Sequence, residues 1–222
     1  VEKLIDAHQV AIDKHGADIP PAELYRGAVR VVMRLVVVLF AEARGLLPVD
    51  NAVYHASYGL RGLQDDLRKL ARAQRLSSSQ SAWPRLLALF RLVHDGSAHP
   101  DLPVPGYGGE LFQPGSLEST DGLRRAIWIF ENACFKDDSH GVPDKVMSSI
   151  LEHLTRTMER IRSGRGTINV PVPVDFSDLS SEYIGILYEG LLDYELKPVP
   201  EGDAVIILPI GNRPALPLSR LE

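Results

Sequence analysis

Apolar residues recur at helical spacing through most of this chain, and short apolar runs replace them only near its end. Val1, Leu4, Ile5, His8 and Ile12 predict a first helix over 1–15, with Gly16 as its stop. Pro20-Pro21 opens a second, longer helix on which Tyr25, Val29, Val32, Met33, Val36, Val37 and Phe40 form one broad apolar face; Gly45 and Pro48 close it. Because its middle is apolar around most of the circumference, this helix belongs at the centre of a bundle. Leu60, Leu63, Leu67, Leu70 and Ala71 predict a helix over 60–76, and Trp83, Leu86, Leu87, Phe90 and Leu92 another over 82–94, joined by the flexible Ser77-Ser-Ser-Gln-Ser81.

The pattern breaks at 95–116, where five glycines and four prolines in 22 residues predict an irregular loop. An irregular stretch of that length inside a compact domain is usually functional or packed as an ordered surface loop. Helical periodicity resumes over 123–135, capped by Asp121 and burying Ile127, Trp128 and Phe130. Val146, Ile150, Leu154 and Met158 extend it over 145–162 after Asp144. A β-like segment follows at 167–174. Ser177 or Asp178 then caps a helix with Leu179, Tyr183, Ile184, Leu187, Tyr188, Leu191 and Leu192 on its apolar side, a face expected to pack on the 25–40 helix. A strand is predicted at 204–208. The fold class expected is mainly α, a multi-helix bundle with a long Gly/Pro-rich loop and a small β element near the C-terminus. A helical domain over 1–197 and a short β-containing segment over 198–222 are the expected units.

Composition bounds the function classes. At 222 residues, 45% hydrophobic and 24% charged, the chain has the makeup of an ordinary globular protein with a sizeable core. A single cysteine, Cys134, forms no internal disulfide and excludes a cysteine-rich zinc module, which fits a reducing cytoplasm. The apolar run at 28–41 contains Arg30 and Arg34 and is shorter than the roughly 20 residues of a membrane span, so no membrane contact is expected. Val1 in place of an initiator Met is expected of a segment of a longer protein. A net charge of −5 excludes a surface that is basic all over, yet leaves room for local patches.

Two such patches stand out. Arg61, Arg68, Lys69, Arg72 and Arg75 lie on the 60–76 helix, and Arg156, Arg160, Arg162 and Arg165 form the densest basic cluster in the chain. A forked guanidinium suits phosphate oxygens, and Tyr107 in the glycine-rich loop offers a stacking surface, so both patches are candidate DNA contacts. The alternative is a solvated helix face. Arg26, Arg30 and Arg34 make a third stripe, expected to pair with acidic residues of neighbouring helices.

Catalytic signals are weak. His94, Asp95, His99 and Asp101 are metal-ligating types within eight residues, but their spacing matches no established ligand pattern. Asp193, Glu195 and Lys197 imitate the end of a metal-dependent nuclease motif at a frequency chance alone supplies. The glycines at 106–109 and 164–166 form no strand–Gly-x-Gly-x-x-Gly–helix unit, and no Gly-x-Ser-x-Gly elbow occurs. No catalytic residue and no metal site are assigned. A metal-dependent hydrolase or nuclease using His94, His99 or Glu195 remains the weaker alternative.

Four segments in order carry a resemblance: Tyr25-Arg-Gly-Ala-Val-Arg30 through Phe40-Ala-Glu-Ala-Arg-Gly-Leu-Leu-Pro48, then Tyr58-Gly-Leu-Arg-Gly-Leu63, then Pro105-Gly-Tyr-Gly-Gly-Glu-Leu-Phe-Gln-Pro114, then Ile184-Gly-Ile-Leu-Tyr-Glu-Gly-Leu-Leu192. Together they resemble the N-terminal helical spacer region of large adenine-specific DNA methyltransferases of restriction-modification systems and of phage-defence systems of the BREX and DISARM kind. The resemblance implies a noncatalytic domain whose partners are the catalytic core of the same parent chain, duplex DNA and other defence-system proteins. It implies S-adenosylmethionine as cofactor of the parent and none in this segment, since no Asn here is followed by the Pro-Pro of the adenine-gripping motif. The rival reading is a protein-interaction module of a defence complex that uses the 105–114 loop.

Overall fold

A computed structural model describes residues 1–136, 141–163, 166–192, 194, 202, 204–207, 215–217 and 219. Among them are nine helices and three two-stranded antiparallel β-ribbons, so the chain is mainly α, as its periodicity predicts. The central helix α3 (Pro21–Ala43) starts at the expected proline, buries Val29, Val31, Leu35 and Val38, and packs along α7 (Gly122–Lys136). The two axes come close because Gly27 has no side chain: a Cβ there would lie 3.0 Å from the Ala126 Cβ and 3.3 Å from the Phe130 ring. Asp121 caps α7 as expected, its carboxylate accepting from the Leu123 N–H at 3.0 Å.

The first predicted helix is two, α1 (Glu2–Ala7) and α2 (Gln9–His15), broken at His8. The break lets His8 turn inward, edge-on to Trp83 and Phe130 at 5.1 and 5.0 Å between ring centroids. A short helix that periodicity did not reveal, α4 (Ala52–Ser57), is held by Asn51, whose side-chain oxygen accepts from the Val53 and Tyr54 N–H groups. Helix α5 (Leu60–Arg72) takes its N-terminal partner from elsewhere in the chain: the half-buried Glu42 carboxylate accepts from the Leu60 N–H at 2.8 Å and from the Tyr54 hydroxyl at 2.9 Å. Burial pushes the Glu42 carboxyl above its usual range, opposed by these hydrogen bonds. Helix α6 (Ala82–Asp95) is fastened the same way by Asp144, fully buried, which accepts from the Ser81 hydroxyl and the Ala82 N–H.

Within the Gly/Pro-rich stretch, β1 (Ser97–His99) and β2 (Leu102–Val104) form a small hairpin, and the remainder is irregular but packed, with Phe112 in the core. Helix α8 (Asp144–Thr155) ends well before residue 162. The expected helical continuation is strand β3 (Arg156–Ser163), paired with β4 (Gly166–Pro173) from Arg156 opposite Pro173 to Ser163 opposite Gly166. An eight-residue strand at 166–173 needs a partner, and the preceding Arg156-Thr-Met-Glu-Arg-Ile-Arg-Ser163, alternating with period two, supplies it.

Helix α9 (Ser181–Leu192) begins three residues later than Asp178, because Ser177 is engaged in a turn with the Asp175 carboxylate. It does pack on α3, the Tyr25 hydroxyl donating to the Leu191 carbonyl at 2.7 Å, and just outside the two helices Arg44 donates to the Leu179 carbonyl. The face differs from the expected one: Tyr183 and Leu187 are exposed, while Ile184, Tyr188 and Leu191 are partly covered. A last ribbon joins β5 (Val205–Ile207), within the predicted strand, to β6 (Ala215–Pro217).

Candidate nucleic-acid interface

The β3–β4 ribbon leaves the bundle at the end of α8 and carries no buried side chain among its described residues. Alternation along paired strands sorts its residues into two faces. One holds Arg156, Met158, Arg160 and Arg162, with Thr167, Asn169, Pro171 and Pro173 across from them. The other holds Thr157, Glu159 and Ile161, facing Val172, Val170 and Ile168. Val170 and Val172 are half-buried while Pro171 and Pro173 are exposed, so the apolar face turns inward at its root and the arginine face turns to solvent. The described residues give Arg156, Arg160 and Arg162 no ion pair; Arg165 lies outside the described residues. The three arginines predicted as phosphate contacts thus share one outward face, on a strand where a helix was expected.

The second predicted patch is different. On α5, Arg68 pairs with Asp65 at 2.8 Å and Lys69 with Asp66 at 2.9 Å, while Arg85 adds a second cation to Asp66 at 3.0 Å. Lys69 and Arg85 hold the Asp66 carboxyl below its ordinary range, and Asp66 raises the Lys69 ammonium in return. Carboxylates three residues back therefore offset part of this patch, although Arg61, Arg72 and Arg75 are exposed. The two patches meet at one point, where Gln64 of α5 donates to the Thr155 hydroxyl at the foot of the ribbon.

The arginine stripe on α3 is structural. Arg26 pairs with Glu23, Arg30 donates to the Glu110 carbonyl, and the fully buried Arg34 forms an ion pair with Glu131 of α7. Arg34 also donates to the carbonyls of Leu111 at 2.7 Å and Gln113 at 2.8 Å, and the other Glu131 oxygen accepts from the Gly115 N–H at 2.9 Å. Burial pulls the Arg34 guanidinium below its ordinary value, and Glu131 opposes that pull. Gly115 lies so close beneath α7 that a Cβ would meet the Trp128 nitrogen at 2.1 Å. The Gly/Pro-rich loop is thereby tied to the bundle along 110–115. Tyr107, the predicted stacking residue, is half-exposed and donates its hydroxyl to the Leu46 carbonyl.

His94 lies against Asp95, and the ring of His99 accepts from the Asp101 N–H. Among the described residues no group of three or more His, Cys, Asp or Glu is placed to hold a metal ion. Glu195 and Lys197 lie outside the described residues. Among those described, no helix is long and apolar enough to cross a membrane.

A feature that sequence reading missed is where burial stops. The core runs from Leu4 to Leu151, and no described residue beyond Leu151 is buried. Met158, Ile161 and Ile168 on the ribbon and Tyr183, Ile186, Leu187 and Leu192 on α9 stand exposed instead, several by more than half their surface. The sequence signal was present in α9, whose apolar residues outnumber what one face against α3 can cover. No family model, curated protein or solved structure matches this chain.

Proposed function

We propose that this chain is the noncatalytic helical domain of a bacterial DNA adenine-N6 methyltransferase from a restriction-modification or phage-defence system. It positions the methyltransferase core and meets duplex DNA along its basic surface. S-adenosylmethionine belongs to that core: the glycines at 106–109 here lead into Glu110 and a loop tied to α3, not into a helix whose N-terminus receives phosphate or a nucleotide. The parent would work in the cytoplasm, where its DNA is.

One observation carries the reading. A domain that packs 4–151 to completion and then leaves Tyr183, Ile186 and Leu187 in water is shaped to be covered by another unit. The four resembling segments support a methyltransferase core as that unit. The 105–114 loop suits a docking role less well, since its carbonyls at Glu110, Leu111 and Gln113 are held by Arg30 and Arg34.

The test is methyl transfer from labelled S-adenosylmethionine to duplex DNA by the gene product that contains this chain. Replacing Tyr183 and Ile186 together by Asp is expected to lower the rate about tenfold, equivalent to ~1.4 kcal/mol of lost docking, while the helical melt is unchanged. Full activity in that variant would refute a positioning role for α9.

A further inference from the structure

The β3–β4 ribbon combines four features that no other part of the described chain shares. Residues 156–173 contain four arginines against one glutamate, in a protein whose net charge is −5. The glutamate, Glu159, is on the opposite face from Arg156, Arg160 and Arg162. The arginine face is turned to solvent, and the polar residues across from it, Asn169 and Thr167, add neutral hydrogen-bonding groups beside Arg160 and Arg162. Lastly, Pro171 and Pro173 have no N–H to offer and, because the next residue Val174 donates inward to the Thr155 carbonyl, their nitrogens lie away from β3, so the root of that edge gives a further strand no donor.

These features separate three uses of an exposed hairpin. Strand addition finds no donor at the root of the β4 edge. Packing of the arginine face into a protein core would bury three guanidiniums, each needing a carboxylate partner to offset desolvation. A polyanion satisfies them without burial, because phosphate oxygens accept from a guanidinium fork while both remain wet.

We propose that this ribbon is an arm that lies against duplex DNA, with Arg156, Arg160 and Arg162 on backbone phosphates. The inference rests on the DNA-methyltransferase reading for its choice of duplex DNA among polyanions. Same-face residues two apart on a strand are separated by about 7 Å, so Arg156 to Arg162 spans roughly 20 Å, and the major groove admits a two-stranded ribbon of this kind. The arm reads no sequence through these arginines; it sets the register of the duplex before the core. On α5, Arg68 and Lys69 are already paired with Asp65 and Asp66 and contribute little.

The experiment is fluorescence anisotropy of a labelled duplex titrated with the chain between about 50 mM and 200 mM salt, for wild type and for R156Q/R160Q/R162Q. The slope of log affinity on log salt is expected to lose about 0.9 for each arginine removed, and affinity at the lower salt to fall tenfold or more. The variant R68Q/K69Q on α5 is expected to bind within a factor of about two of wild type, since its cations are already paired. An unchanged slope in the triple variant overturns the arm, as does equal loss in the α5 variant. Binding to poly-glutamate as tight as to the duplex would assign the face to an acidic protein instead and also overturn it. Methyl transfer by the parent with unchanged DNA affinity in the triple variant removes the arm and leaves the methyltransferase reading in place. Arginine-dependent duplex binding by a parent that transfers no methyl group does the reverse.

Discussion

Arg34 on α3 and Glu131 on α7 form a buried ion pair that also holds the Gly/Pro-rich loop, through the carbonyls of Leu111 and Gln113 on one side and the N–H of Gly115 on the other. Removing Glu131 leaves the Arg34 guanidinium in the core without a carboxylate partner. Glu131→Ala is expected to destabilise the domain by about 3–5 kcal/mol, measured by urea unfolding followed by far-UV circular dichroism. The double replacement R34M/E131L should cost less than Glu131→Ala alone, because it removes the orphaned charge.

Asp144 acts at a distance in sequence to start a helix. Its carboxylate accepts from Ser81 and from the Ala82 N–H, and its own N–H donates to the Ser79 carbonyl at 2.8 Å. Asp144→Ala removes both side-chain acceptors at a fully buried site, and a loss of about 2–3 kcal/mol is expected from the same unfolding measurement.

His8 gives stability a pH dependence of definite sign. Its Nδ1 donates to the Leu4 carbonyl, its Nε2 is buried with no hydrogen-bond partner in bonding geometry among the described residues, and burial pulls its pKa below the ordinary 6.5. The unfolded chain therefore binds the proton more tightly than the folded one. The His8 contribution is fully present above pH 6.5 and is lost as pH falls from there through the lower folded value. Glu42, whose pKa burial raises, acts in the opposite direction: its folded form gains stability as pH falls through that raised value. Melting temperatures of wild type and His8→Phe across this range should diverge on acidification, with wild type losing more. Parallel curves would contradict the assignment.

Much of the fold was legible in the sequence. Pro21, Asp121 and Asp144 marked helix starts correctly, whereas of the α3 stripe only Arg34 found the expected acidic partner on a neighbouring helix; Arg26 pairs with Glu23 of its own helix and Arg30 with a loop carbonyl. What escaped were features decided by tertiary contact. The α1–α2 break serves the burial of His8 between Trp83 and Phe130, which no local pattern announces. Met158 sits at helical spacing from Leu154, so periodicity extended α8; the competing period of two in 156–163 won because 166–173 had to pair. That error changed the candidate site most, since it moved Arg156, Arg160 and Arg162 from a helix end to one face of a ribbon. On α5 the basic residues were legible, while the pairing of Arg68 with Asp65 and of Lys69 with Asp66 depended on side-chain geometry.

The β3–β4 ribbon should be far less protected than the helical core. A two-stranded hairpin with no buried side chain has little to hold it shut, whereas α3 is sealed in the core. Hydrogen–deuterium exchange followed by mass spectrometry is expected to exchange the amides of 156–173 well before those of 28–38. Added duplex DNA should slow exchange in the ribbon and leave α5 unaffected.

The proposed methyltransferase role turns on whether a longer gene product containing these residues methylates DNA. Mass-spectrometric detection of N6-methyladenine in duplex DNA, after incubation with S-adenosylmethionine, tests it most directly. The proposal expects N6-methyladenine from a longer gene product that joins these residues to a methyltransferase core, and none from residues 1–222 alone. N6-methyladenine made by residues 1–222 alone, or none made by the longer protein on any duplex, would contradict it.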